Sequence, residues 1–260
     1  MSWAEERKLV VFAVFAGVLL LVASGLYLAF FYQGPSCTDG VKDGTEQGPD
    51  CGGSCPYLCS ATEEPPTVLF TQAIPNGAGR TDVIAEVENK NVDAAAEDVP
   101  YDLTVYGYDQ QLIQHLTGTL ELPPGASVPV FIPGIDSGKA VAGAAFLSIA
   151  SSSVHWYALA ADPRVVPAVS GIAITGASST PRIGATLSNP SVRPLANVAA
   201  VVVVKDAAGN AIAASQTILP SIPALGSAEA TFTWGAPFSA APVAIEVLPV
   251  IPLPPQARLP

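Results

Sequence analysis

The run from Leu9 to Phe31, twenty-three residues without a charged side chain, constrains this chain more than any other feature. As an α-helix rising about 1.5 Å per residue it spans roughly 34 Å, enough to cross a bilayer with some tilt. Arg7 and Lys8 stand directly before it. The first basic residue after it is Lys42, set among Asp39, Asp43, Glu46 and Asp50. Basic residues at the edge of a span fix its orientation, so the pattern predicts a single-pass anchor with a cytoplasmic N-terminus and the remainder translocated. Trp3, Tyr27 and Tyr32 suit the two interfacial belts. The rival reading is a cleaved signal peptide cut near Val22-Ala23-Ser24, whose apolar region would normally run only about 7–15 residues.

Beyond the run the character changes. The 260-residue chain has only 13% charged residues, 50% hydrophobic ones, 22 Gly and 25 Pro. Many short strands and turns are expected from that mixture, with enough apolar surface for a packed core. The net charge of −11 argues against a nucleic-acid partner, which would need a basic surface.

All four cysteines, Cys37, Cys51, Cys55 and Cys59, fall in one Gly-rich acidic stretch that shows no helix or strand period. The spacing of Cys51, Cys55 and Cys59 by four also admits a zinc site with Cys37 as the fourth ligand. A stretch exported behind an anchor meets an oxidising compartment, where thiols pair, so disulfides are the expectation, in any of three connectivities. Asp39, Asp43, Glu46 and Asp50 lie close together between glycines, a pattern suited to a hard cation such as calcium or to a solvated acidic turn.

Thr62 to Pro66 reads as a stiff linker. From Val68 the text alternates with period two: Val83, Ala85 and Val87 interleave with Ile84, Glu86 and Glu88, and Leu103 and Val105 with Thr104 and Tyr106. Ala94 to Glu97 suggests a helix start, which Pro100 cuts off. Past a joint at Ala161 to Arg164 the pattern restarts. Ala85 to Asn89 is echoed by Ala185 to Asn189, and Leu122 to Ser127 by Ile222 to Ser227, while Phe131 falls near Phe232. Marks recurring in order at a period near 100 residues mean two copies of one domain.

Those marks, with Val105 to Asp109 and Val202 to Asp206 at the position of its name motif, resemble the bacterial FxLYD-type domain. The resemblance implies an immunoglobulin- or fibronectin-III-like β-sandwich in a surface-exposed setting, and brings no catalytic residue. The cysteine stretch resembles a Cys-x-Asp-Gly motif of bacterial cell-surface proteins, found beside anchors or between β-domains.

Chemistry is sparse in the text. His115 and His155 are the two histidines, and neither accompanies a Gly-x-Ser-x-Gly elbow, a His-Glu-x-x-His motif or a phosphate loop. His155-Trp156-Tyr157 reads as a strand closing the first domain, or as an aromatic binding patch. The expectation is therefore a mostly β protein with one transmembrane helix and two tandem immunoglobulin-like sandwiches. Its order is a cytoplasmic end (1–8), a helix (9–32), the cysteine loop (33–60), a linker (61–67), a sandwich (68–160), a joint (161–167), a second sandwich (168–250) and a Pro-rich tail (251–260). The expected role is non-catalytic, presenting domains outside the cell membrane to a protein or envelope partner. An accessory subunit of a secretion or pilus assembly is the alternative, and an exoenzyme a weaker one.

Overall fold

The computed structural model describes residues 3–30, 36–77, 79–138, 140–159 and 161–254. By internal packing the chain divides into two units, Met1–Ser54 and Cys55–Pro260. In the first unit α1, Trp3–Phe30, is one unbroken helix. Its segment Val10–Leu28, 19 residues, is long and apolar enough to cross a membrane by length and composition. The side chains described along that segment are exposed all round, and no face of the helix is polar. Ser24 needs no outside partner, because its Oγ donates to the Leu20 carbonyl oxygen at 2.8 Å. Tyr27 is exposed. Tyr32 and the side chain of Trp3, the other two expected belt residues, lie outside the described residues.

The second unit is built of antiparallel β-strands, with a short 3-10 turn at Ser151–Ser153. In chain order its strands are β1 (Thr67–Pro75), β2 (Arg80–Glu88), β3 (Ala94–Gly107), β4 (Leu112–Leu122), β5 (Ser127–Asp136), β6 (Ala142–Ser148) and β7 (Trp156–Ala158). The chain then restarts with β8 (Ala168–Thr175), β9 (Arg182–Ser188), β10 (Leu195–Lys205), β11 (Ala211–Ile222), β12 (Ser227–Thr233) and β13 (Ala244–Val250). They form four sheets: β1-β2-β5, β4-β3-β6 with β7 on β3, β8-β9-β12, and β11-β10-β13. The chain is therefore mostly β with one apolar N-terminal helix.

Alternation assigns the faces. Val83, Ala85 and Val87 pack with Leu103, Val105, Leu122 and Trp156, so the first two sheets enclose one core. Ile183, Ala185 and Leu187 pack with Val202, Val204 and Phe232 in a second. A third cluster joins the outer face of β1-β2-β5 to the outer face of β11-β10-β13: Ile74 and Ile84 meet Val201 and Val203, flanked by Phe70 and Phe131. Such burial removes apolar surface at about 25 cal/mol per Å2, so the two modules stabilise each other.

That third cluster shifts the expected match of Phe131 with Phe232 by one residue. Phe131 pairs with Ile84 and Phe232 with Ile183, so the true counterpart of Phe232 is Ile132, which pairs with Val83. Phe131 corresponds instead to Thr231, and Ile84 to Gly184. A slip of one residue moves a strand position to the opposite face. Phe131 lies in the junction between modules, not in its own core.

The repeat has a polar signature at the same offset. Asn89 is buried and its Nδ2 donates to the carbonyl oxygens of Ala94 (2.8 Å) and Pro123 (2.8 Å), while its Oδ1 accepts the Asn91 N–H at 3.0 Å. Asn189 repeats the set with Arg193 (2.8 Å), Pro223 (3.1 Å) and the Ser191 N–H (2.9 Å). Each Asn thereby ties the end of one strand to the turn before another, satisfying backbone groups that burial would orphan.

Ala94 to Glu97 is the start of β3, not of a helix. Pro100 is tolerated inside that strand because β7 pairs with β3 only up to Ala96 and β6 only from Asp102. Its missing N–H falls in the gap between them. The linker is held down as well: Glu64 N–H donates to Asn91 Oδ1 at 2.9 Å, and Asn91 Nδ2 donates back to the Glu64 carbonyl at 2.9 Å. In the Pro-rich tail, Leu253 is buried beside Ala95 and Tyr157, its N–H donates to the Glu121 carboxylate, and Arg164 reaches the Ile251 carbonyl at 3.2 Å. Burial, and then Glu97 and Asp98, push the Glu121 pKa up against the pull of Leu253 and Arg164. Residues 255–260 lie outside the described residues.

Candidate functional site

Residues 36–54, in the first unit, form a turn-rich loop that its own carboxylates hold together. Asp50 Oδ1 and Oδ2 accept the N–H groups of Asp39 and Gly40, each at 2.8 Å. Glu46, which is buried, accepts the N–H groups of Asp43 and Asp50 through Oε2, each at 3.2 Å. Thr45 accepts the Ser54 N–H at 3.1 Å. Gly53 sits at φ +63°, and a Cβ there would collide with the Thr45 carbonyl oxygen, so only glycine closes the turn.

The four acids therefore divide. Glu46 and Asp50 spend oxygens on the backbone. Asp39 gives Oδ1 to the Val41 N–H at 2.9 Å. Among the described residues Asp43 Oδ1 is shut off from solvent with no hydrogen-bond partner. Its loss of solvent, and next the negative charges of Asp39, Glu46 and Asp50, raise the Asp43 pKa above the ordinary carboxylate value against the pull of a backbone hydrogen bond from Ser36 to the carboxyl. A desolvated oxygen facing like charges is chemistry that a cation would complete.

Cys37, Cys51, Cys55 and Cys59 are all disulfide-bonded. In the second unit the segment that carries Cys55 and Cys59 lies along β7: Tyr57 bridges to Tyr157, Leu58 N–H donates to the Trp156 carbonyl at 2.7 Å, and Ser60 Oγ to that of Val154 at 3.1 Å. Cys59 is buried there. This segment is thus built into the first module.

His115 and His155 are on separate surfaces. His115, exposed, pairs with Asp102 at 3.2 Å on the outer face of β3 and β4. His155 stacks on Tyr57 with ring centroids 5.5 Å apart. Among the described residues no serine hydroxyl bonds to either ring. Trp156 is buried in the first core and Tyr157 beside Leu253, so this run closes the module.

No family model matches the chain, and no curated protein does. Among solved structures that match is the crystal structure of red sea bream transglutaminase, at 15% identity and a TM-score of 0.24. The match covers 67% of this chain, which spans 27% of that protein's length. The expectation of a non-catalytic chain is withdrawn on this match, because the matching structure is that of an enzyme. At that TM-score the likeness assigns no reaction and no site.

Proposed function

We propose that the chain is a single-pass surface protein that presents two immunoglobulin-like β-sandwiches of FxLYD type to a protein or envelope partner outside the cell membrane. The observation that carries this reading is an apolar helix exposed along Val10–Leu28, followed in sequence by four disulfide-bonded cysteines. Disulfides persist in oxidising compartments, and Arg7 and Lys8 at the other end of the helix favour a cytoplasmic N-terminus. The two cores, with Asn89 and Asn189 in matching roles, support reading each pair of sheets as one sandwich. The test is protease added outside intact cells. It is expected to remove epitopes beyond residue 36 and spare one fused to the N-terminus; a protected C-terminal tag overturns the orientation.

The loop is proposed to hold calcium, with Asp43 as the residue that has an oxygen to give and Asp39, Glu46 and Asp50 as its charged surroundings. Without a cation the raised Asp43 pKa makes the folded loop favour the protonated acid. Its stability contribution is present below the ordinary carboxylate pKa and lost as pH rises through the elevated one. Calcium at neutral pH is expected to raise the melting temperature of the full chain, and Asp43→Asn to abolish that response. A melting curve indifferent to calcium retires the ion.

A further inference from the structure

We infer that the cleft at the junction of the two modules is a binding site for a neutral oligosaccharide. The cleft has a volume of about 600 Å3 and takes its walls from both modules. One wall carries Tyr108, on the turn after β3, 77% exposed and lying against Gly143, where a Cβ would press on the tyrosine backbone and ring. The opposite wall carries Trp234 and Phe238, packed edge to face at 5.1 Å. Trp234 also lines the adjoining cleft that continues past Phe131 and Gln216, so the aromatic wall stands at the middle of an elongated trough.

The polar groups on the floor are held in place. Asp82 is buried with both oxygens engaged: Oδ1 accepts the Gly134 N–H at 2.7 Å, and Oδ2 accepts Asn76 Nδ2 at 2.7 Å. That bond fixes the exposed Asn76 amide and leaves its carbonyl oxygen to a ligand. Asn210 is fixed in the same way, its Nδ2 donating to Asp206 Oδ2 at 3.2 Å. The N–H groups of Asn210 and Ala208 hold Asp206 in turn, and lower its pKa, so it remains an acceptor across the neutral range.

This combination selects a chemistry. Aromatic rings offer flat apolar surface to the C–H faces of a pyranose, and oriented side-chain amides offer acceptors and donors to its hydroxyls. Sites of this size, at the boundary between modules and with a few fixed polar groups, suit a small ligand. Among the described residues no lysine or arginine lines the cleft, and Asp82 lies in its floor, so an anionic sugar would meet like charge there. A short neutral chain of sugar units suits a trough that runs on from one cleft to the next. The inference deepens the surface-protein reading by naming a ligand class, and it depends on the packing of the modules, not on the orientation of the helix.

The test uses the full chain in detergent, titrated with neutral oligosaccharides (chitotriose, cellotriose, maltotriose, mannotriose) and with heparin as the anionic arm, read by intrinsic fluorescence and by calorimetry. One neutral oligosaccharide is expected to give a saturable signal, weakened at least tenfold by Tyr108→Ala and by Trp234→Ala. Tyr108 stands outside both cores, so its variant keeps the fold if the Trp234 variant does not. No saturable signal from any neutral sugar up to about 10 mM, beyond the ~1 mM scale of weak specific binding, overturns the proposal. So does a signal that survives Tyr108→Ala, or one from heparin alone. The protease experiment on intact cells reads independently of all these outcomes.

Discussion

Replacing Asn89 by Asp is expected to unfold the first module at neutral pH, or to cost it about 3 kcal/mol or more, the scale for a buried charge left without compensation. Asn89 Nδ2 donates to the carbonyl oxygens of Ala94 and Pro123 at 2.8 Å, and more loosely to that of Leu122 at 3.4 Å, in a site 1% exposed. A carboxylate has no hydrogen to give and would face three carbonyl oxygens. Protonation relieves part of this, so the penalty of Asn89→Asp shrinks as pH falls. The sign follows from linkage: a folded-state pKa above the unfolded one makes stability drain away as pH rises. Asn89→Ala orphans the same carbonyls without adding charge, and should cost about 2–4 kcal/mol with little pH dependence. Asn189→Asp should act likewise in the second module. Denaturant unfolding of the full chain at pH 5 and pH 8, followed by circular dichroism, measures both effects. Equal stability of Asn89→Asp and the parent chain at pH 8 would show that the buried amide is not what joins strand to turn.

The helix, the cysteines and the Asn repeat could be read from the text because each is a local signal. An uncharged run of helical length needs no partner to identify it, and four cysteines in one glycine-rich stretch need no fold. Asn89 and Leu122-Pro123 recur together as Asn189 and Ile222-Pro223, and the hydrogen bonds between them explain why both marks share one spacing. What the text hid depends on pairs distant in sequence. Ile84 between Val83 and Ala85 looks like an ordinary member of a strand, and only the register shows that it faces Val201 and Val203 in the other module. The division of labour among the acids was equally hidden: Asp39, Asp43, Glu46 and Asp50 are equivalent as letters, yet Asp50 caps backbone N–H groups while Asp43 is left with an orphaned oxygen. Tyr108 and Trp234 are 126 positions apart by their numbers and share a cleft only because the modules dock. Leu253, inside a Pro-rich stretch, offered no period at all, and its burial follows from a pocket that Ala95 and Tyr157 leave beside it.

Phe232→Ala is expected to cost the second module about 3–5 kcal/mol, the usual range for emptying a buried phenylalanine site. Phe232 is 2% exposed and stands opposite Ile183 among Leu187, Val202 and Val204, all of them buried on strands that cannot collapse inward far. Phe131→Ala should behave differently, although the two phenylalanines look alike in the sequence. Phe131 is half-buried against Ile84, Val201 and Val203, and its loss opens a junction that water can reach. It should therefore cost less, about 1–2 kcal/mol, following the area of apolar surface that remains covered. The two variants should also differ in cooperativity. With Phe232→Ala the second module unfolds early and withdraws the face that Ile84 packs on, so the first module loses its junction contacts and melts below its parent temperature. With Phe131→Ala both modules keep their cores and lose only part of what couples them, which should broaden a single transition or split it in two. Calorimetric scans of the full chain distinguish these outcomes. If Phe131→Ala proved as costly as Phe232→Ala and left one sharp transition, Phe131 would belong to a core of its own and the register that pairs it with Ile84 would be wrong.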